Sequence, residues 1–183
     1  MNGLAAAGLE YLGMSSLTVD EFIVNSDALC AAYGHMPKLE GCIRFRSLNL
    51  NWRGPTLIIR ADLPQFPDPA PQDWVTSGFD TVQFHLRFLA VQNLAIHSWE
   101  PPALGFLEAT PRPEGRCLHV DIGGDGINLA FDCSDSVTIG HVSAFRVDVD
   151  GSDLGSRSFA GRIDSRRYNS LPEVWEKSYF ERI

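Results

Sequence analysis

Histidine side chains are the groups in this sequence best suited to metal binding or acid–base chemistry. There are five, at positions 35, 85, 97, 119 and 141. His85, His97 and His119 alternate with apolar residues, so in strands they would point to the polar face of a sheet. If the strand order placed these three beside Asp121, their imidazole and carboxylate groups could bind zinc or iron. Alternatively, the histidines have no special role and are simply polar residues on the solvent-exposed face of an antiparallel sheet.

Motifs for covalent catalysis, phosphate binding or calcium binding are not found. No GxSxG sequence occurs, and no spacing pairs a cysteine with a histidine. The glycines at 123, 124 and 126 lie between two alternating apolar runs, which predicts a hairpin turn rather than a phosphate site before a helix. Residues 148–159 are rich in aspartate, but Phe159 stands where a calcium loop needs glutamate. We therefore expect a chain that is not an enzyme, with no catalytic residue, no metal and no other cofactor.

Aspartates are concentrated in the second half of the sequence. The cluster consists of Asp121, Asp125, Asp132, Asp135, Asp148, Asp150 and Asp153. Aspartate is common in turns, because its carboxylate hydrogen-bonds nearby backbone N–H groups. The same residues could instead form an acidic patch that attracts a basic protein, since complementary charge speeds association. On the second interpretation these seven side chains are the candidate binding site.

The predicted framework that positions these side chains begins with a helix. Thr18 and Glu21 match a capping box, and Gly34 followed by Pro37 would end the helix near Tyr33. We expect this helix, residues 18–33, to lie across a sheet.

Strands follow from Gly41 to Val149, where apolar and polar residues alternate. Three hairpins are predicted, at residues 43–63, 82–97 and 118–131, with a further strand at 103–109 and a last strand at 137–149. Phase changes near Arg46 and Gly140 indicate β-bulges. The proline-rich residues 64–72 should cross the surface outside the sheet.

These elements predict an α+β fold that is mostly β, with an N-terminal helix packed on a predominantly antiparallel sheet of about eight strands. We expect residues 1–17 to be a flexible N-terminal segment and residues 18–149 to form a single β-rich domain. Residues 150–183 would be a C-terminal extension, in which a second capping-box signature at 170–173 predicts a short helix over about 171–180.

Composition narrows the function classes. The chain has 183 residues, 44% of them hydrophobic, and a formal net charge of −8, of which residues 1–147 contribute −7. An acidic chain does not suit a nucleic-acid binder that neutralises phosphates. No apolar run approaches the ~18 residues of a membrane span, and Glu10 interrupts the only signal-like segment. Four widely spaced cysteines are typical of free thiols, so we expect a cytoplasmic protein. From its acidity and its lack of a long apolar run, we expect it to bind neither nucleic acid nor membrane.

Six segments carry a resemblance to a known family. They are 54–60 (GPTLIIR), 62–67 (DLPQFP) leading to Asp73 and Trp74, 78–84 (GFDTVQF), 94–99 (LAIHSW), 126–133 (GINLAFDC) and 137–142 (VTIGHV). Together they resemble bacterial immunity proteins of polymorphic toxin systems, specifically the family called immunity protein 50, over roughly residues 18–149. The resemblance implies a small, mostly β, non-enzymatic protein that neutralises a cognate toxin by binding it in the cytoplasm.

The leading hypothesis is therefore an antitoxin that occludes the active site of a basic toxin domain through the acidic patch. An alternative is a small-molecule-binding β domain or a metal-dependent hydrolase with its site around His85, His97 and His119. A third possibility is an oligomerisation module that uses an edge strand. The oligomeric state, the toxin class and the role of residues 150–183 are left open by the sequence.

Overall fold

Seven strands in one antiparallel sheet make up most of this computed structural model, which describes residues 18–113 and 115–168. The strands are β1 (Ile43–Asn51), β2 (Thr56–Asp62), β3 (Thr81–Phe88), β4 (Gln92–Pro111), β5 (Cys117–Ser134), β6 (Thr138–Phe145) and β7 (Arg157–Phe159). Their order across the sheet is β5-β4-β1-β2-β3-β6-β7. The predicted class, mostly β with an antiparallel sheet, is confirmed.

The β1–β2 hairpin matches the sequence prediction. The two strands pair from Asn51 opposite Thr56 to Arg44 opposite Asp62, and the register shifts between Phe45 and Ser47. Arg46 is therefore the extra residue of the predicted bulge. A second predicted bulge, near Gly140, is confirmed by a register shift between β3 and β6.

The central strands separate an apolar face from a polar one. Directly paired residues of antiparallel strands point to the same side of the sheet. Phe45 and Ile59 point to the core with Phe84 and Leu86, and all four side chains are fully buried. The core side is completed by Leu29 from the short helix described below. The alternating residues of β2 and β3 point to the opposite, polar face.

Strands β4 and β5 form a long two-stranded ribbon, and here two predicted hairpins are wrong. β3 pairs with β2 and β6 instead of with β4. β5 continues as one strand through its glycines and pairs with β4 from Leu118 opposite Pro111 to Asp132 opposite Gln92. Each of these long strands absorbs two segments that the alternation pattern had predicted as separate strands. This merging, together with the added short β7, gives seven strands where about eight were expected.

The ribbon bends sharply at its middle, between Trp99 and Leu104 of β4, where the pairing with β5 is interrupted. Pro101 and Pro102 lie in this gap and have no backbone N–H to donate to a partner strand. As a result the two ends of β5 meet, and the backbone N–H of Asp135 donates to the carbonyl oxygen of Arg116 at 3.2 Å.

The N-terminal helix is shorter and more broken than predicted. A single 3-10 turn (Val19–Phe22) is followed by extended residues and then by α1 (Asp27–Tyr33), which ends at Gly34 in the left-handed conformation as expected. The Thr18 side chain makes no capping hydrogen bond. The capping-box prediction therefore fails, because Ile23 leaves the helix to form a parallel bridge with Val137 next to β6.

Two further short helices complete the described chain. α2 (Gln72–Thr76) follows the proline-rich crossing and buries Trp74. α3 (Arg162–Arg167) follows β7. Both elements belong to the predicted C-terminal extension, and β7 joins the sheet by pairing with β6. The predicted segment 1–17 and the predicted helix at 171–180 lie outside the described residues. None of the helices that the structure describes is long and apolar enough to span a bilayer.

Candidate functional site

The seven predicted aspartates do not form one patch; they fall into three groups. The first group, Asp121 and Asp125, lies on the outer face of the β4–β5 ribbon, where both are exposed. Asp121 is paired with Glu108 and Asp125 with Leu104, so these residues point to the same side. Of the seven aspartates, Asp121 and Asp125 are the two that are exposed on a strand; the other five are partly buried or lie in loops.

The second group, Asp132 and Asp135, is engaged where the ends of the ribbon meet. Asp132 accepts hydrogen bonds from Asn93 and Arg112, and one of its oxygens lies 2.7 Å from Nδ1 of His119. The hydrogen bonds from Asn93 and His119 hold the pKa of Asp132 at about 2. Asp135 accepts a hydrogen bond of 3.1 Å from Arg116. These carboxylates tie strand ends together.

The third group, Asp148, Asp150 and Asp153, belongs to the loop between β6 and β7, which we call the covering loop (residues 146–156). Asp148 and Asp150 are exposed, and each accepts a hydrogen bond from a backbone N–H within its own turn. Asp153 points inward instead, to the polar face of the sheet. The local turn role predicted for aspartate thus holds for two of the three.

Asp153 joins a buried polar network that the sequence did not indicate. Its members are Arg46, Arg60, Asp62, Gln83, Asp153 and Arg157. Nε of Arg46 donates to both oxygens of Asp62 at 2.9 and 2.8 Å, and its Nη2 lies 2.6 Å from Oδ2 of the same carboxylate. Nη1 of Arg46 donates to the carbonyl oxygen of Gly151 at 2.9 Å. The side chains of Arg46 and Asp62 are each only 5% exposed, so this ion pair is shielded from water.

The covering loop is held by the rest of the network. Oδ2 of Asp153 lies 2.5 Å from Nη1 of Arg60 and 3.1 Å from Nη2 of Arg157, and it accepts a hydrogen bond from Gln83 at 3.0 Å. Burial opposes ionisation of Asp153, but the hydrogen bond from Gln83 and the surrounding guanidinium groups lower its pKa below the usual value. Arg157 also stacks over the ring of Phe145, 4.5 Å from its centroid. Alternation had indicated a polar face, but not that a loop covers it.

The three histidines of the alternative hypothesis are not brought together. His85 lies on β3, His97 on β4 and His119 on β5, and β1 and β2 separate β3 from β4. His119 bridges two carboxylates, with Nδ1 near Asp132 and Nε2 at 3.2 Å from Asp121. Within residues 18–113 and 115–168 no group of three or more His, Cys, Asp or Glu side chains could hold a metal ion. The structure therefore gives no support to a site on this set of residues.

His85 is instead a buried neutral residue on the polar face. Its ring meets that of His141 edge to face at 5.1 Å, and Nδ1 of His141 lies 3.2 Å from a carboxylate oxygen of Asp164. In the described part of the chain, Nε2 of His85 is buried without a hydrogen-bond partner. Burial, followed by the charges of His141 and Arg60, lowers the pKa of His85 to about 3.

The stability of the protein is expected to fall with decreasing pH because of His85. The unfolded chain takes up a proton on this residue near pH 6.5, whereas the folded chain does so only near pH 3. Between these values the unfolded state binds one more proton, so the free energy of unfolding should decrease by about 1.4 kcal/mol per pH unit on acidification. Urea unfolding from pH 7 to 4 should show a shallower slope for His85→Gln. The exposed His97→Gln is the matched control and should keep the wild-type slope; equal slopes for all three proteins would contradict the assignment.

Among the described residues, clefts of two kinds bear on the search for a site. One, of about 320 Å³, lies between Pro101 and Pro102 of the ribbon bend and residues 150–153 of the covering loop. Its floor includes Arg46 and Arg60, which the network already pairs with carboxylates. The other, of about 380 Å³, lies between α1 and the proline-rich crossing and is lined by Tyr33, whose hydroxyl donates to the carbonyl oxygen of Gln65. The second cleft is also lined by His35, Lys38, Glu40 and Asp68, of which Lys38 and Glu40 pair with each other at 3.2 Å.

Charge is distributed unevenly between the strands. Strands β4 and β5, which we call the acidic ribbon, contain five acids and neither lysine nor arginine: Glu100, Glu108, Asp121, Asp125 and Asp132. Strand β4 also exposes three large apolar side chains: Ile96 at 51%, and Leu104 at 43% and Phe106 at 56%, which are neighbours on the outer face. The sequence analysis identified the aspartates but did not single out Leu104 and Phe106. Both alternate with Ala103 and Leu107, which are buried, so the alternation could have predicted an exposed apolar pair. A surface that is both acidic and locally apolar is suited to binding a basic protein.

Comparison with known proteins identifies a family for this chain. The family model of immunity protein 50 matches residues 25–145, which is well over half of the chain. The match runs from just before α1 to the end of β6, so it includes the acidic ribbon and most of the sheet. No curated protein and no solved structure matches the chain. From the family match, the chain belongs to the immunity protein 50 family.

Proposed function

We propose that this immunity protein neutralises a cognate toxin in the cytoplasm by binding it directly and covering its active site, and that the acidic ribbon is the main binding surface. The family match supports an immunity role. The ribbon supports the rest of the proposal, because its two strands contain five acids and neither lysine nor arginine. One of the five, Asp132, pairs with Arg112 just beyond β4, so the negative field comes from the other four. A basic toxin domain is the partner that such a field attracts. The four cysteines are all free thiols, which fits a reducing compartment.

Not every predicted aspartate contributes equally to this proposal. Asp132, Asp135 and Asp153 are held in hydrogen bonds and ion pairs within the chain. A partner would have to break those contacts to use them, at a cost in desolvation and rearrangement. Asp121 and Asp125 on the ribbon, together with Asp148 and Asp150 on the covering loop, are exposed. We therefore assign the toxin contacts to these four in the first place.

Co-expression with the product of an adjacent gene that is toxic when expressed alone tests the proposal. Cells that express both proteins should grow, and the two should elute as one complex on a sizing column. Continued killing together with separate elution would refute the proposed function. Growth without a complex would refute direct binding as the mechanism.

The charge component has its own test in the same system. Asp121→Asn combined with Asp125→Asn should slow association with the toxin several-fold at low salt, because steering by long-range charge acts on the association rate. The same two substitutions should make binding less sensitive to ionic strength. Asp27→Asn combined with Asp68→Asn removes equal charge from exposed sites away from the ribbon and is the matched control. Equal effects of the two pairs would show that only net charge matters and that the ribbon is not the binding surface.

A further inference from the structure

Two apolar side chains lie in the middle of the acidic face. Leu104 and Phe106 point outward on β4, and the residues between and beside them, Ala103, Gly105 and Leu107, point to the buried side. An exposed leucine or phenylalanine alone is ordinary. Here the two are neighbours on one face of one strand, so they form a continuous apolar strip.

The exposure of Phe106 follows from what its neighbours lack. Its directly paired residue on β5 is Gly123, which has no side chain to cover the ring. On the other side, β1 pairs with β4 only through Ile43, Arg44 and Phe45, opposite residues 103–105, so no residue of β1 is paired with Phe106. Within the described strands, neither flank of Phe106 therefore has a paired side chain, and the ring is 56% exposed. A glycine opposite an aromatic residue leaves a gap that a partner side chain can fill.

Carboxylates border the strip along the ribbon. Glu108 and Asp121 are paired with each other two residues beyond Phe106, and Asp125 is paired with Leu104 at the other end. Among the strand pairs that the structure describes, Arg44 of β1 is the basic residue beside the strip, opposite Leu104. An apolar centre inside a polar rim is the arrangement in which a few central side chains carry most of the binding energy.

We infer that Leu104 and Phe106 are the anchor of the toxin interface, and that the partner surface presents an apolar side chain surrounded by lysine or arginine. This inference rests on the proposed function and specifies its contact. A second copy of this chain is disfavoured as the occupant, because it would bring the face that carries Glu108, Asp121 and Asp125 against an equally acidic face. Like charges at an interface oppose association.

The test uses the full chain and the toxic gene product identified in the co-expression experiment, with binding kinetics measured at physiological salt. Phe106→Ser, and separately Leu104→Ser, should weaken affinity about 30-fold or more, the scale of a central anchor residue, mainly through faster dissociation. Trp52→Ser is the matched control. Trp52 is 79% exposed in the β1–β2 turn, at the opposite end of β1 from the residues that pair with the Leu104 region, and its loss should leave affinity unchanged. Because all three side chains are exposed, the thermal unfolding midpoint should change little in each variant, which separates lost binding from lost folding.

The outcomes separate this inference from the function on which it rests. If wild-type protein binds the toxin and neither serine variant weakens binding beyond Trp52→Ser, the anchor is wrong while the proposed function stands. If wild-type protein does not bind the toxin, the proposed function itself fails. If wild-type protein forms dimers that Phe106→Ser dissociates, the occupant is a second copy and the inference is overturned.

Discussion

Replacing Arg46 with methionine is expected to lower the free energy of unfolding by about 3–5 kcal/mol, because it leaves the buried carboxylate of Asp62 without its charged partner. The side chains of Arg46 and Asp62 are each 5% exposed, so little solvent reaches the carboxylate to replace the guanidinium group. The substitution also removes the hydrogen bond to the carbonyl of Gly151 and so one attachment of the covering loop. Urea unfolding followed by circular dichroism measures the loss.

Two further variants make this prediction specific. Arg116→Met breaks the exposed pair with Asp135, in which Arg116 is 81% exposed, and should cost no more than about 1 kcal/mol. The double variant Arg46→Met with Asp62→Leu should be more stable than Arg46→Met alone, since no isolated charge remains buried. If Arg46→Met costs no more than Arg116→Met, the network does not stabilise the fold in the way described.

The second large effect is expected at Gly124, in the bend of the acidic ribbon. A Cβ atom there would overlap the carbonyl oxygen of Leu104 and Cα of Gly105. Both are backbone atoms of the partner strand, so only a displacement of β4 against β5 can relieve the overlap. Gly124→Ala should therefore lower the free energy of unfolding by about 3 kcal/mol, at the upper end of typical overpacking costs. For a chain of this size that corresponds to a fall of roughly 6–12 °C in the unfolding midpoint.

The adjacent glycine is the control for this experiment. A Cβ at Gly123 would meet no atom within 4 Å, and its backbone angles suit any residue. Gly123→Ala should change stability by less than about 1 kcal/mol, because it only adds a methyl group at an open strand position. A similar loss for both alanine variants would mean that the strands do not approach closely at the bend.

The glycines of β5 show how far local sequence patterns could be used. Two apolar alternating runs joined by Gly123, Gly124 and Gly126 have the signature of a hairpin, because glycine permits the positive φ that tight turns need. Gly126 does have a φ of 74°. Gly124, however, is needed for close contact between strands, and the chain continues in the same direction. Both uses of glycine produce the same local pattern, so only the pairing with β4 distinguishes them.

The β1–β2 hairpin and its bulge could be predicted, because their sequence signals do not depend on a distant strand. The turn at residues 52–55 connects two short strands that are adjacent in both sequence and space, and the phase change at Arg46 is a local feature. No long-range contact is needed to choose between alternatives there. The predicted helix at residues 18–33 failed where such a contact intervened, since Val24 donates a backbone hydrogen bond to Val137 and interrupts the helix.

The candidate site was predictable in composition but not in arrangement. The aspartates could be identified by position, and the polar alternation of Arg60, Asp62, Gln83 and His85 was visible. Whether those residues face water or a covering loop depends on Asp153, which reaches Arg60 across 93 residues of sequence. The pattern of one strand indicates which side chains share a face, but it carries no information about what lies on that face.

The amino-acid sequence by itself determined the β-rich class, the family, the acidity of the chain and the two ends of the first hairpin. These properties depend on composition and on contacts between near neighbours, which alternation and turn residues encode directly. The tertiary structure alone decided the strand order, the bent ribbon, the burial of Arg46 with Asp62 and the exposure of Phe106. Each of these depends on which distant segment packs against which, and the free energy of that choice is a sum over many weak contacts that no local pattern contains.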